Sequence, residues 1–303
     1  MDDSRAGWSD DSEPRHGDPA PEWLDLDEYP FTPRWFATPA GTMHYIDEGV
    51  GTPIVFVHGN PTWSFQFRDV FKELVPSRRC IAPDHLGFGL SDKPRDFSYL
   101  PVDHARNFAR FMEALDLTDV TLVVGDWGGP IGLAWALDNP DRVTSLVITN
   151  TWLWSVRSDW YYRAFSAVMG GPIGRQLIRR NFFASSVVKR AYGDRARLTP
   201  EIHRHYLAPL STPDERMPSS VFPRQIIKSS DWLGGLWERR PALATKRILL
   251  AWGMRDIAFR EKELRRWQEA FPAARTVMFP DAGHFVAEEQ PTELAREITA
   301  ISS

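Results

Sequence analysis

Long hydrophobic runs are absent from this chain. No stretch approaches the ~18 or more consecutive apolar residues of a membrane-spanning helix, so no span is expected. Cysteine is nearly absent too. Cys80 is the only one in 303 residues, which excludes an intrachain disulfide and fits a cytoplasmic protein. There is no excess of basic charge. A formal net charge of −4 gives no reason to expect nucleic acid or a membrane as partner. No glycine fingerprint for phosphates is found, so no nucleotide is expected. His203 and His205 are two residues apart and would face different sides of a helix, so they do not form a metal-chelating pair.

What is present is a globular composition, 43% hydrophobic, in a chain long enough for one large core and an accessory lobe. The acid is unevenly placed. Residues 1–22 hold Asp2, Asp3, Asp10, Asp11, Glu13, Asp18 and Glu22 against Arg5 and Arg15, with no apolar pattern. This head is expected to be a disordered acidic tail. It lacks the basic start and apolar stretch of a signal peptide.

Beyond the tail, short apolar runs alternate with helical patterns. Strands are expected over 42–49, 53–59, 80–84, 120–126, 143–150, 247–253 and 275–280, and helices near 103–115, 130–138, 261–271 and 291–301. Phe108, Phe111, Met112 and Leu115 have the spacing of one buried helical face. The alternation predicts an α/β fold with a mainly parallel sheet. The rhythm stops over 151–240, a stretch with no clear strand that carries Trp152, Trp154, Trp160, Trp232 and Trp237. It reads as an inserted helical cap at the carboxyl ends of the strands, with 23–150 and 241–303 forming the core.

Three polar residues fall at the ends of expected strands: Asp126 after "VTLVVG", Asp256 after "RILLAWGMR" and His284 after "RTVMFPDAG". Nucleophile, acid, histidine is the chain order of α/β-hydrolases, with Asp in place of Ser. Position 124 is Val rather than Gly, so the elbow is carried by its strand–turn–helix context and by small residues at 125, 128 and 129. A carboxylate is already ionised at neutral pH and suits displacement at a saturated carbon. The resulting ester needs hydrolysis, with His284 as base and Asp256 orienting it. Taken singly, Asp126 could be a helix N-cap, Asp256 a turn residue and His284 a loop residue.

"HGNPTWSFQFR" follows a buried strand, and a turn there can aim a backbone N–H at the elbow. With the N–H of Trp127 it would form an oxyanion hole. The Asn60 amide and the Trp127 indole are donors suited to a departing anion, although Asn-Pro also simply opens turns.

With "HGNPTWSFQFR", "APDHLGFGLSDKP", "GDWGGPIGL", "NTWLW", "RRNFF", "WGMRDIAF" and "AGHFVAEEQP", the sequence resembles the haloalkane dehalogenases of the α/β-hydrolase superfamily from about Tyr29 onward. The resemblance implies a mostly parallel central sheet flanked by helices under a helical cap. It implies Asp126 as nucleophile, His284 as base, Asp256 as acid, and Asn60 with Trp127 holding the halide. It further implies a small apolar halogenated substrate, with water and a halide ion, no metal or organic cofactor, and a tendency to homo-oligomers. One branch takes its acid from the position of Asn150, which an amide cannot supply. The pattern is most like the third branch, which pairs an Asn–Trp cradle with the later acid. Trp152, Trp154 or Trp160 would offer a Trp–Trp cradle instead. An epoxide hydrolase using Tyr161, Tyr162, Tyr192 or Tyr206 as proton donors, or a non-catalytic ligand-binding homologue, are the rival readings. His58, His85 and Asp84 read as structural, and the basic stretch 175–197 as a solvated helical face.

Overall fold

The computed structural model describes residues 20–302. The expected acidic tail lies outside the described residues up to position 19. Glu22 and Trp23 already stand in a turn, and Trp23 packs edge-on against Trp63.

Eight strands form one sheet: β1 (Arg34–Thr38), β2 (Gly41–Glu48), β3 (Pro53–Val57), β4 (Arg79–Pro83), β5 (Val120–Gly125), β6 (Val143–Thr149), β7 (Arg247–Gly253) and β8 (Arg275–Phe279). Their spatial order is β1-β2-β4-β3-β5-β6-β7-β8. The β1–β2 and β2–β4 pairs are antiparallel and every other pair is parallel. This is the α/β-hydrolase arrangement expected from the sequence.

The central strands bury both faces, which explains their nearly unbroken apolar composition. In β3, Val55 and Val57 join one core layer while Ile54 and Phe56 join the other. β7 repeats the alternation, with Ile248, Leu250 and Trp252 on one side and Leu249 and Ala251 on the other. Helices cover both faces. They are α1 (Arg68–Leu74), α2 (Pro101–Ala114), α3 (Gly128–Asp138), α10 (Glu261–Ala270), α11 (Val286–Glu289) and α12 (Pro291–Ser302). Phe108, Phe111 and Met112 of α2 are fully buried as their spacing predicts, whereas Leu115 lies beyond the helix end and is half-buried.

Between β6 and β7 the described chain forms no strand. It runs through α4 (Trp160–Met169), α5 (Pro172–Arg179), α6 (Val188–Ala191), α7 (Pro200–Leu207), α8 (Met217–Lys228) and α9 (Ser230–Arg239). Among the described residues no helix is long and apolar enough to cross a membrane.

Outside the insertion, β1, α1 and the one-turn α11 were not among the elements expected from the sequence. β1 is a half-exposed edge strand of five residues, too short for a period to emerge. α1 follows a 3₁₀ turn inside the "HGNPTWSFQFR" stretch, and its buried Val70, Phe71 and Leu74 supply its apolar face. The residues read as structural behave so. His58 accepts the backbone N–H of His85 through Nε2. Asp84 accepts from the N–H groups of Ser64 and Leu90 and faces His44 at 2.9 Å.

Candidate active site

Asp126 stands between β5 and α3 in a left-handed conformation, φ +46°, which non-glycine residues adopt uncommonly and Asp more readily than most. The surroundings are tight. A Cβ on Gly128 would lie 2.1 Å from the carbonyl oxygen of Val57, and one on Gly129 would lie 1.9 Å from Oγ1 of Thr151. Only glycine allows α3 to start this close to β3, and that approach turns the chain sharply at residue 126. The turn is fixed further by the Asp126 N–H donating to Asn150 O (3.0 Å) and Thr151 Oγ1 donating to Asp126 O (2.5 Å). Asp126 is not a helix cap: the N-cap position is Trp127, without a side-chain cap bond.

The carboxylate has two distinct oxygens. Oδ1 accepts the backbone N–H of Asn60 at 2.9 Å, and the Trp127 N–H also bonds the carboxylate. Oδ2 faces Nε2 of His284 at 3.7 Å. Burial pushes the Asp126 carboxyl above its usual range, and His284 with the two N–H donors opposes that push.

His284 follows β8, and its Nδ1 lies 2.8 Å from Oδ2 of Asp256. A carboxylate only accepts, so Nδ1 carries the hydrogen and Nε2 is directed toward Asp126. Burial alone would lower the His284 pKa. The Asp256 charge and hydrogen bond, followed by the Asp126 charge, outweigh it and hold the imidazole up at about 9. Asp256 is itself fixed by the N–H of Ala258 (2.6 Å) and by Nδ2 of Asn150 (2.9 Å).

Asn150 is a residue the sequence reading used only as a non-acid. It is buried at φ +23° after β6, accepts the Gly253 N–H through Oδ1 at 2.8 Å, and ties β7 to the acid. Its position after a strand, like that of Asp126, was the available signal.

Asn60, Asp126, Trp127 and His284 border one cavity of about 850 Å³, counting its open mouth, between the sheet and the insertion. Its walls are largely apolar, with Trp152, Phe165, Ile226 and Phe259 among them. Asn60 Oδ1 is buried without a donor. Of the three alternative tryptophans, only Trp152 borders the cavity. It meets Trp127 edge-on at 4.6 Å, and its Nε1 is buried without an acceptor. Trp154 instead packs against Trp237 and Trp267, and Trp160 is 76% exposed. Tyr161 and Tyr162 border the cavity, but their hydroxyls donate to the carbonyls of Ile257 and Ala258, each at 2.9 Å. Tyr192 and Tyr206 do not border it.

Residues 52–291 match the family described as alpha/beta hydrolase fold. The chain is 41% identical to haloalkane dehalogenase 2 of Mycobacterium tuberculosis, over 89% of this chain and 94% of that protein. The chain belongs to the haloalkane dehalogenase family of α/β-hydrolases. Crystallised haloalkane dehalogenase DatA from Agrobacterium tumefaciens is similar in structure, with a TM-score of 0.79 and 28% identity over 89% of this chain and 96% of that one. The chain is also 34% identical to a cis-3-alkyl-4-alkyloxetan-2-one decarboxylase of Xanthomonas campestris, over 90% of this chain and 96% of that protein. Haloalkane dehalogenases and that decarboxylase are thus both similar to this chain across nearly its whole length.

Proposed function

We propose that this protein hydrolyses the carbon–halogen bond of small apolar haloalkanes by way of an alkyl ester on Asp126, with residues 151–240 as its cap. The observation that carries the reading is the asymmetric Asp126 carboxylate. One oxygen accepts the N–H of Asn60 and the other faces His284, at the floor of an apolar cavity.

In the first step Oδ2 of Asp126 attacks the halogen-bearing carbon. The C–O bond forms and the C–halogen bond breaks, its electron pair leaving with the halide. The N–H donors of Trp127 and Asn60 receive that growing charge, the pairing of the third branch of the family. In the second step Nε2 of His284 takes a proton from water, and the oxygen adds to Cγ of Asp126. The oxyanion develops on Oδ1, which already accepts the backbone N–H of Asn60, with the Trp127 N–H bonding the same carboxyl group. Collapse breaks the acyl C–O bond and releases the alcohol, protonated by His284. The sum is haloalkane plus water giving alcohol, halide and a proton.

The two steps are coupled electrostatically. The Asp126 charge contributes to the raised pKa of His284, and esterification removes that charge. Alkylation therefore lowers the His284 pKa and prepares it to act as a base.

The committed hydroxyls of Tyr161 and Tyr162 count against an epoxide hydrolase, which needs such donors for the opening oxygen. The likeness to a decarboxylase favours a second reading. Attack of Asp126 at C4 of a cis-3,4-dialkyl-oxetan-2-one would break the C4–O ring bond and free a carboxylate on C3. Loss of carbon dioxide would form the C3=C4 bond as the Asp126–C4 bond breaks, giving an alkene without water. Purified protein assayed for halide from 1-bromobutane, and in parallel for alkene from such a lactone, separates the readings. Halide release supports the first, and alkene alone supports the second. Diol from an epoxide panel would revive the epoxide hydrolase.

A further inference from the structure

The motif that supplies His284 also contains two buried glutamates, Glu288 and Glu289. Glu288 is partnered conventionally, by Arg68 at 2.6 Å and by the hydroxyl of Tyr206. Glu289 is different. It is fully buried and pairs with no cation among the described residues. Its Oε1 accepts the N–H of Gly283, the residue before His284, at 2.8 Å. Its Oε2 accepts the N–H of Asp194, in the loop after α6 of the insertion, also at 2.8 Å. A buried carboxylate is costly unless its oxygens are satisfied, and here two backbone donors from two separate loops satisfy them.

Those loops meet with no side chain between them. A Cβ on Gly283 would lie 2.1 Å from Ala191 O and 2.5 Å from Gly193 N. One on Gly193 would lie 2.3 Å from Asp281 O. The His284 N–H donates to Ala191 O at 2.8 Å. The backbone of the base is therefore held by the insertion, and Glu289 spans the junction. Asp126 and its donors Asn60 and Trp127 sit on the loops after β5 and β3 and make no bond to this junction.

We propose that Glu289 is a positioning residue for the second half of the reaction, tying the loop of His284 to the insertion so that ester hydrolysis, but not alkylation of Asp126, depends on it. This rests on the dehalogenase reading above. Glutamine cannot reproduce the tie, because its amide nitrogen donates where a second N–H already donates. A base moved by ~1 Å costs on the order of 10²-fold in rate.

The test is a quenched-flow measurement with 1-bromobutane, following formation and decay of the butyl-enzyme by intact mass and normalising to the enzyme that alkylates. For Glu289→Gln, alkylation is expected within about twofold of the unaltered rate, with ester decay about 10- to 100-fold slower. Steady-state kcat and KM fall together because the ester accumulates. Glu289→Asp, which keeps two accepting oxygens on a shorter stem, is expected to decay faster than the Gln variant and slower than the unaltered enzyme. If the Gln variant does not fold, slowed decay with intact alkylation in the Asp variant carries the proposal. Unchanged decay in the folded variants, or equal loss in both steps, overturns it. No halide release and no adduct in the unaltered protein would overturn the dehalogenase reading, and the proposal with it.

Discussion

Nε2 of His284 stands 3.7 Å from Oδ2 of Asp126. That is too far for a hydrogen bond, so the oxygen proposed to attack is not tied down by the imidazole. The two groups share a charge relationship rather than a bond. One consequence is that Asp126→Asn removes the nucleophile without breaking a hydrogen bond to His284. Halide release from 1-bromobutane is expected to fall by more than about 10³-fold while circular dichroism and thermal melting remain close to the unaltered protein. Full activity, once mass spectrometry has excluded reversion of the amide to the acid, contradicts the assignment.

The same relationship sets a pH dependence of stability. The folded pKa of His284, about 9, lies above its ordinary value near 6.5. Its contribution to stability is therefore fully present below about pH 6.5 and is lost as pH rises toward and through 9. Denaturant melts of the unaltered protein should lose stability across that window more than those of His284→Gln. Equal losses would contradict the raised pKa.

If halide is held beside Trp127, as proposed, Asn60 and Trp152 would compete as the second donor. Asn60 is the one expected to take that role. Asn60→Ala is expected to weaken halide binding and to lower the alkylation rate on the order of 10²-fold, while Trp152→Phe leaves both within a few fold. Iodide quenching of tryptophan fluorescence with stopped-flow alkylation measures this. A large loss in the Trp152 variant and none in the Asn60 variant would reverse the assignment.

Much of this candidate site was legible in the sequence because each candidate residue follows a recognisable strand. Asp126, Asp256 and His284 come after β5, β7 and β8, and Asn60 comes after β3. Strand periodicity together with the family motifs therefore marked them as candidates before any contact was known. What stayed hidden depends on long-range packing. Asn150 bonds Asp256 across 106 positions, and Glu289 bonds Asp194 across 95. Neither residue type signals such a partner. The tryptophans show the same limit. Trp152, Trp154 and Trp160 look alike in the sequence, yet one borders the cavity, one packs in an aromatic cluster and one faces solvent. β1 was missed because an edge strand buries too little to impose a pattern.

Asp256 orients His284 and opposes its desolvation. Asp256→Asn keeps the shape but replaces an accepting oxygen and the negative charge. The His284 pKa should fall, and the ester-hydrolysis step should slow by at least about 10²-fold, with alkylation affected less. An NMR titration of the imidazole together with single-turnover kinetics checks both parts. An unchanged titration would show that Asp256 is not its partner.

The central claim is that the substrate's alkyl group passes through a covalent ester on Asp126. Intact mass of His284→Gln after incubation with 1-bromobutane tests it most directly. A butyl group is expected to accumulate, peptide mapping to place it on Asp126, and about one halide to be released per folded enzyme. Continued multiple-turnover halide release with no adduct would contradict it.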